Sequence, residues 1–116
     1  MWTIKFYERE SGEIPVKAFI DSLDIKLQAK VLRDMGILEQ YGTAVREPYS
    51  KHIQDGVFEL RTKLATHLTR IFYFFFDGSI IILTNGFVKK TQKTPKAEIE
   101  KALKYKIDYE KRNKRK

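Results

Sequence analysis

The chain has 116 residues, 42% of them hydrophobic and 13% aromatic, and it contains no cysteine. This length fits one domain over residues 1–116, and the apolar content excludes a chain that is disordered throughout. Without cysteine there can be no disulfide, zinc–thiolate site, iron–sulfur cluster or cysteine nucleophile. The net charge is +8. Residues 1–60 carry 8 basic and 10 acidic side chains, whereas residues 61–116 carry 15 and 5, so the basic excess lies entirely in the second half.

No apolar run reaches the roughly 20 residues of a membrane span, since Asp77 and Gly78 interrupt the longest one. The first ten residues also lack the charged-then-apolar order of a signal peptide. We therefore expect a cytoplasmic protein with no membrane contact. A concentrated basic charge of this kind favours a polyanionic partner.

The first half of the chain predicts one strand followed by two helices. Residues 2–7 alternate between apolar and polar, which is the period of a half-buried strand. Pro15 can begin a short helix that ends at residue 23, and a longer helix is predicted over residues 24–41, with Gly42 placed to cap it. The apolar stripe of that longer helix consists of Ile25, Leu27, Ala29, Val31, Leu32, Met35 and Leu38.

The second half predicts three strands and a last helix. Residues 43–56 are polar and contain Pro48, so a loop is expected there, ending in the turn Asp55-Gly56. Strands are predicted over 57–63, 67–76 and 79–87, and Asp77-Gly78 is the signal for a two-residue type I′ hairpin. That turn would place Phe76 opposite Ser79, and therefore Arg70 opposite Asn85.

The last helix is expected to have Thr94 as its N-cap and Pro95 as its first residue, and residues 111–116 are predicted to be a frayed basic tail. The predicted order is strand, helix, helix, strand, strand, strand, helix. This order is typical of an α+β fold with an antiparallel sheet. Because both faces of the hairpin are apolar, we expect the two early helices to cover one face and the last helix to cover the other.

Several catalytic patterns are missing from the sequence. There is no glycine-rich phosphate loop, no serine nucleophile elbow, no HExxH and no run of paired acids, so a two-metal nuclease, which needs several clustered carboxylates, is not expected. The candidates that remain on the predicted sheet are two basic side chains, Arg61 and Arg70. Arg70 shares a strand face with two phenylalanines, which suits the rim of a buried patch, where its guanidinium either meets a phosphate or pairs with Glu59. A cross-strand ion pair is an equally open interpretation for Arg61.

Three lysines, Lys89, Lys90 and Lys93, lead into the N-terminus of the last helix, where backbone N–H groups favour an anion. A solvated surface is the alternative for such a run. Histidine is the residue type best suited to acid–base work near neutral pH, and the sequence has two, His52 and His67, although loop histidines usually have no catalytic role. A lysine could move a proton only if its pKa were lowered, which crowded positive charge would favour. Tyr49 is free to stack on a base, whereas Tyr73 is expected in the core.

Three separated blocks carry a resemblance to a known family. They are residues 57–61 (VFELR), 70–74 (RIFYF) and 85–95 (NGFVKKTQKTP), and residues 15–23 (PVKAFIDSL) are similar to the opening helix of the same family. In this order and spacing, the blocks resemble the phage-derived branch of the HigB/RelE toxins. The resemblance covers almost the whole chain.

The resemblance implies a RelE-like twisted antiparallel sheet and a toxin of a type II toxin–antitoxin system. Such a toxin is an endoribonuclease that cleaves mRNA on the ribosome without a metal or cofactor. Its partner would be a cognate antitoxin, a helix-turn-helix protein similar to HigA. The implied catalytic residues are Arg61, Arg70, Lys89 and Lys93, with the arginines as phosphate clamps and one of the lysines as a candidate for proton transfer. The residues expected to contact RNA are Tyr49, Lys51, His52, Lys90 and Gln92.

Two other functions remain open on the sequence. The same basic surface would suit an RNA- or ribosome-binding module without catalysis, and the basic tail could dock an acidic protein partner. The sequence leaves open which residue is the general base, which codons are preferred, and which antitoxin binds in what stoichiometry.

Overall fold

The structure is a computed structural model that describes residues 1–90 and 93–114. Within these residues the chain forms five strands and three helices. They are β1 (Thr3–Phe6), α1 (Pro15–Asp21), α2 (Ile25–Tyr41), β2 (Ser50–Gln54), β3 (Val57–Leu64), β4 (His67–Phe76), β5 (Ile80–Val88) and α3 (Lys96–Arg112), with a short 3₁₀ turn at Gly42–Ala44. The predicted α+β class is confirmed, and each predicted helix and strand is present with ends shifted by at most a few residues.

The sheet differs from the prediction in two ways. Its strand order is β1-β5-β4-β3-β2, and β1 runs parallel to β5, so the sheet is mixed rather than wholly antiparallel. Ser50–Gln54 is also a strand instead of part of a loop, because its backbone pairs with β3 across the Asp55-Gly56 turn. The order strand, helix, helix, strand, strand, strand, helix is therefore one strand short.

The predicted hairpin register is wrong by one residue. Asp77 and Gly78 both have the positive φ angles that a type I′ turn requires, but Ser79 joins the connection and Phe76 pairs with Ile80. A second shift follows between Ile71 and Tyr73, so Arg70 lies opposite Phe87 instead of Asn85. A slip of one residue exchanges the two faces of a strand, because successive side chains alternate.

The two faces of the sheet are covered as expected. Helices α1 and α2 pack on one face, where Val16, Val31 and Leu38 meet buried side chains of β3, β4 and β5. Helix α3 packs on the other face through Ala102, against Val57, Phe72 and Phe87. We call the first of these the α2 face and the second the α3 face.

Three helix predictions need correction. Ile25 and Leu32 are exposed, at 81% and 53%, because the buried stripe of α2 is narrower than predicted. Pro95, rather than Thr94, is the N-cap of α3, and the Thr94 hydroxyl binds a carboxylate elsewhere in the fold. Lys111 and Arg112 belong to α3 and are not frayed, because Arg112 is held by Asp108. None of the described helices combines the length and apolar content needed to cross a bilayer.

Candidate functional site

The pairing of β3 with β4 places Arg61 directly opposite Arg70 on the α3 face. Glu59 precedes Arg61 by two residues, so it shares this face, and Lys51 of β2 lies opposite Glu59. Like charges that face each other across a sheet are destabilising unless an anion lies between them. Glu59 provides that anion, and we call Glu59, Arg61, Arg70, Lys89 and Thr94 the Glu59 cluster.

Glu59 is fully buried, and both of its carboxylate oxygens have partners. Its Oε1 accepts a hydrogen bond from Arg61 Nε at 3.0 Å and lies 3.2 Å from Arg70 Nε. Its Oε2 accepts a hydrogen bond from the Thr94 hydroxyl at 3.0 Å. A buried carboxylate is costly unless it is paired and hydrogen-bonded, and these contacts meet that requirement. The ion pair with Glu59 that was one of the two interpretations of Arg70 is therefore present.

Arg70 is held less completely than Arg61. Its Nε is close to Glu59, but the N–H is not aligned for a hydrogen bond, so this contact is an ion pair only. Its Nη1 donates to the carbonyl of Thr69 at 3.1 Å. Burial lowers the pKa of Arg70, and the negative charge of Glu59 opposes that effect. A guanidinium remains charged under these conditions.

Arg61 has a second acidic neighbour at the surface. Its Nη1 lies 3.4 Å from Oε1 of Glu47, a side chain that is largely exposed. Exposed ion pairs of this kind contribute little, about 0–1 kcal/mol, so Arg61 is held mainly by Glu59. Arg61 and Arg70 both approach Glu59 through Nε, and the Arg70 side chain is 9% exposed compared with 23% for Arg61.

Lys89 joins the cluster from the end of β5, where its backbone N–H donates to the carbonyl of Leu68. Burial lowers the pKa of Lys89, the positive charge of Arg70 lowers it further, and Glu59 acts in the opposite direction. The sequence predicted that crowded positive charge would act in this way. In the structure, desolvation is the larger cause.

The remaining candidates are placed differently. His52 lies on the α2 face, where its Nε2 accepts a hydrogen bond from the Gly56 N–H and its ring contacts Phe58, so it is apart from the Glu59 cluster. His67 is exposed at the first position of β4. Lys90 and Lys93 are placed between β5 and α3. Gln92 lies outside the described residues. Tyr73 is fully buried, as predicted.

Tyr49 is brought beside the arginines by the backbone. Its carbonyl accepts a hydrogen bond from the Arg61 N–H at 2.8 Å, and its side chain is 43% exposed. Tyr49, Arg61 and Arg70 line a cavity of about 300 Å³ whose other walls are Lys30, Asp34, Pro48, Thr62, Lys63 and Leu68. We call this the Tyr49 cavity.

Sequence reasoning missed Thr94 as a partner of Glu59, and Lys30 and Asp34 as part of this region. Asp34 could have been found, because it continues the spacing of Leu27, Val31 and Leu38 on the buried stripe of α2, where a carboxylate is unexpected. Among residues 1–90 and 93–114, no group of three or more His, Asp or Glu side chains could hold a metal ion.

The chain was compared with known protein families. Residues 18–106 match the family model described as Phage derived protein Gp49-like (DUF891), a family associated with RelE/HigB-like toxins. The matched range includes α2, the whole β2–β5 sheet region and most of α3. No curated protein matches the chain significantly.

Proposed function

Since the chain belongs to the Gp49-like family, we propose that it is the toxin of a type II toxin–antitoxin pair and an endoribonuclease that cleaves mRNA on the ribosome. The family association supports a toxin-like protein. The observation that carries the catalytic part is the Glu59 cluster, in which Arg61 and Arg70 both contact one buried carboxylate and both line an open cavity. Lys89 is close enough for the charges of Arg70 and Glu59 to affect its pKa. The net positive charge that remains suits an RNA phosphate.

The reaction that this arrangement supports is attack of an RNA 2′-hydroxyl on the adjacent phosphorus. A base removes the 2′-hydroxyl proton, the new P–O bond forms, and the bond to the 5′-oxygen breaks as that oxygen gains a proton. The products are a 2′,3′-cyclic phosphate and a 5′-hydroxyl. The attacking group is part of the substrate, so the chemistry requires no metal ion.

Arg61 and Arg70 would contact the non-bridging phosphate oxygens, where negative charge increases in the transition state. Glu59 holds Nε of both arginines at the same carboxylate oxygen and so limits how far the two side chains can move. Lys89 is the preferred group for proton transfer, because its lowered pKa makes its neutral form more accessible than that of an ordinary lysine. Lys93 remains a second candidate for this step. Tyr49, Lys51 and Lys90 would contact flanking nucleotides.

The proposal includes a partner and a compartment. A cognate antitoxin, a helix-turn-helix protein similar to HigA, would neutralise the toxin in the cytoplasm, where the ribosomes are. A protein that contacts the Glu59 cluster with carboxylates would block the RNA phosphate by direct competition.

The test is to induce the protein briefly in cells and to map the 5′ ends of mRNA. The wild-type chain is expected to arrest growth and to produce new 5′-hydroxyl ends within translated regions. Arg61→Ala and Arg70→Ala should relieve the arrest and remove these ends, whereas Lys26→Gln on the exposed side of α2 should change neither result.

Circular dichroism melting would establish that each variant is folded. Folded arginine variants that still cut mRNA would show that the site is placed wrongly. Growth arrest without new ends would favour a module that binds RNA or the ribosome without cleaving. Binding of an acidic protein that survives loss of both arginines would favour a protein-interaction module.

A further inference from the structure

We propose that the Tyr49 cavity binds one nucleobase of the RNA and that Asp34 and Lys30 of α2 select guanine there. This inference rests on the proposed function, because it takes RNA as the substrate, and it specifies which nucleotide the site prefers. Three properties support it, namely the carboxylate, the shape and polarity of the cavity, and the hydrogen-bonding pattern of the bases.

Asp34 is a buried carboxylate with acceptor capacity to spare. Its side chain is 2% exposed, and among the described residues its partner is Lys30, whose Nζ lies 3.4 Å from Oδ1. A charge-assisted hydrogen bond is usually about 2.7–2.9 Å long, so this contact is weak, and a carboxylate can accept several hydrogen bonds. Because a buried acid with one long contact is unfavourable, hydrogen-bond donors of a ligand in the adjoining cavity would stabilise it.

The lining of the Tyr49 cavity combines charged residues from the sheet and from α2. Arg61 and Arg70 line it from β3 and β4, and Lys30 and Asp34, a donor and an acceptor, line it from α2. Pro48 and the half-exposed ring of Tyr49 add flat surfaces, on which a base can stack. A nucleotide has the matching parts, which are an anionic phosphate and a flat base with polar edges. The volume of about 300 Å³ is at the lower end for ligand pockets, so the ligand must be small.

Guanine fits this pair of side chains better than the other bases. Its Watson–Crick edge carries two adjacent donors, N1–H and the 2-amino group, which match the two oxygens of a carboxylate. Its O6 acceptor lies beside them and matches the ammonium group of Lys30. Adenine and cytosine offer the carboxylate one amino group, and uracil would turn a carbonyl oxygen on each side of its single N–H towards it. An unpaired carboxylate or amino group in such a site weakens binding considerably.

The test measures binding of nucleoside 3′-monophosphates to the full chain, by isothermal calorimetry and by NMR shifts of the Tyr49 and Asp34 amides. Guanosine 3′-monophosphate should bind at least about tenfold more tightly than the adenosine, cytidine and uridine nucleotides. The inosine nucleotide, which lacks the 2-amino group, should be intermediate. Asp34→Asn should remove the preference for guanine while leaving the phosphate-dependent affinity.

Two further variants serve as a control and as an alternative to Asp34→Asn. Glu39→Gln changes an exposed acid on the same helix and should leave the preference intact. If Asp34→Asn does not fold, Lys30→Gln removes the partner of O6 and should weaken guanine binding more than uracil binding. Equal affinity for all four nucleotides, or a guanine preference that persists in folded Asp34→Asn, would overturn the inference.

This binding assay needs neither ribosomes nor cleavage, so it separates the two proposals. Guanine-selective binding by a chain that cuts no mRNA would support the pocket and contradict the proposed endonuclease. Cleavage of mRNA without base-selective binding would contradict the pocket and leave the proposed function standing.

Discussion

Glu59 determines how two arginines can face each other across β3 and β4. Without a charge between them, Arg61 and Arg70 would repel each other at neighbouring positions, and both are partly shielded from water. The negative charge of the buried Glu59 carboxylate, which contacts both arginines, offsets this repulsion. The carboxylate contacts each guanidinium group through Nε, so the two arginines are held at one buried anion.

The pKa of Lys89 should report this balance of charges. Arg70 lowers it and Glu59 raises it, so Arg70→Gln is expected to raise the pKa of Lys89 and Glu59→Gln to lower it further. The measurement is a pH titration of the Lys89 side-chain ¹³Cε signal by NMR, with the exposed Lys26 as the internal reference. Equal titration of Lys89 in wild type and both folded variants would mean that the three groups do not interact.

Two glycines test the packing of individual elements. A Cβ on Gly86 of β5 would lie 2.5 Å from Cδ2 of Phe19 in α1 and 3.0 Å from Cγ1 of Ile71, so Gly86→Ala should reduce the free energy of unfolding by about 1–3 kcal/mol. Gly36 lies in the middle of α2, and a Cβ added there would meet nothing within 4 Å, so Gly36→Ala should increase that free energy by about 0.5–1 kcal/mol.

Urea unfolding followed by circular dichroism would give both values. The two substitutions add the same methyl group, so opposite signs would isolate the effect of the α1–β5 contact. An unchanged stability in Gly86→Ala would contradict the close approach of Phe19 to this strand.

A group of hydrogen bonds connects α3 to the residues that directly follow β1. The Tyr7 hydroxyl donates to Asp108 Oδ2 at 2.6 Å, and Arg112 donates to the same oxygen and to the carbonyl of Glu8. Burial is the largest cause that raises the pKa of Tyr7, to about 12, and the hydrogen bond to Asp108 adds to it. The folded chain therefore holds this proton more tightly than the unfolded chain, in which tyrosine titrates near 10.

The pH dependence follows from that difference. The contribution of Tyr7 to stability is complete below pH 10 and is lost as the pH rises through about 12. Tyr7→Phe removes the hydrogen bond, so it should lower the free energy of unfolding at pH 8 by about 1–2 kcal/mol and flatten its decline above pH 10. Urea unfolding at pH 8, 10 and 11 would measure both effects. The same alkaline decline in both proteins would assign it to other groups.

Neighbouring residues in the sequence were sufficient to predict most helices and strands. They were insufficient where a contact with a residue distant in the sequence determines the local structure. The bounds of α2 follow from its apolar spacing and from Gly42, both of which are local. Ser50–Gln54 has no clear alternation, and it becomes a strand because β3 pairs with it. Thr94 has the sequence of an N-cap, but a carboxylate 35 positions earlier in the chain binds its hydroxyl.

The same distinction applies to the candidate site. Arg61 and Arg70 were identified from their places on strands and Lys89 from the lysine run that follows the last strand. In the structure both arginines contact Glu59, and the charge of Glu59 affects the pKa of Lys89. His52 was grouped with the basic loop, but an edge strand turns its side chain to the opposite face. Only the strand pairing fixes that direction, because a shift of one residue would reverse it.

At the scale of the whole molecule, the two halves of the chain differ in net charge and in the elements that they form. Residues 1–60 have a net charge of −2 and build α1, α2 and the two edge strands, whereas residues 61–116 have a net charge of +10. The second half contributes most of the Glu59 cluster and all of α3, which has exposed lysines at 96, 101 and 111. The α3 side of the molecule is thus expected to attract a polyanion by long-range electrostatics. The Glu59 cluster is expected to bind one phosphate of that polyanion.

The salt dependence of RNA binding should distinguish these two contributions. For single-stranded RNA, the slope of log affinity against log salt is about −0.7 per phosphate contact, so contacts at three to five phosphates predict a slope between about −2 and −3.5. Arg61→Gln removes one contact in the cluster and should flatten the slope by about 0.7. Lys26→Gln makes the same change of charge at an exposed position that belongs neither to the Glu59 cluster nor to the Tyr49 cavity, and it should leave the slope unchanged. Fluorescence anisotropy with a short labelled RNA at several salt concentrations would measure both. Equal flattening in the two variants would mean that total charge, rather than the Glu59 cluster, accounts for the affinity.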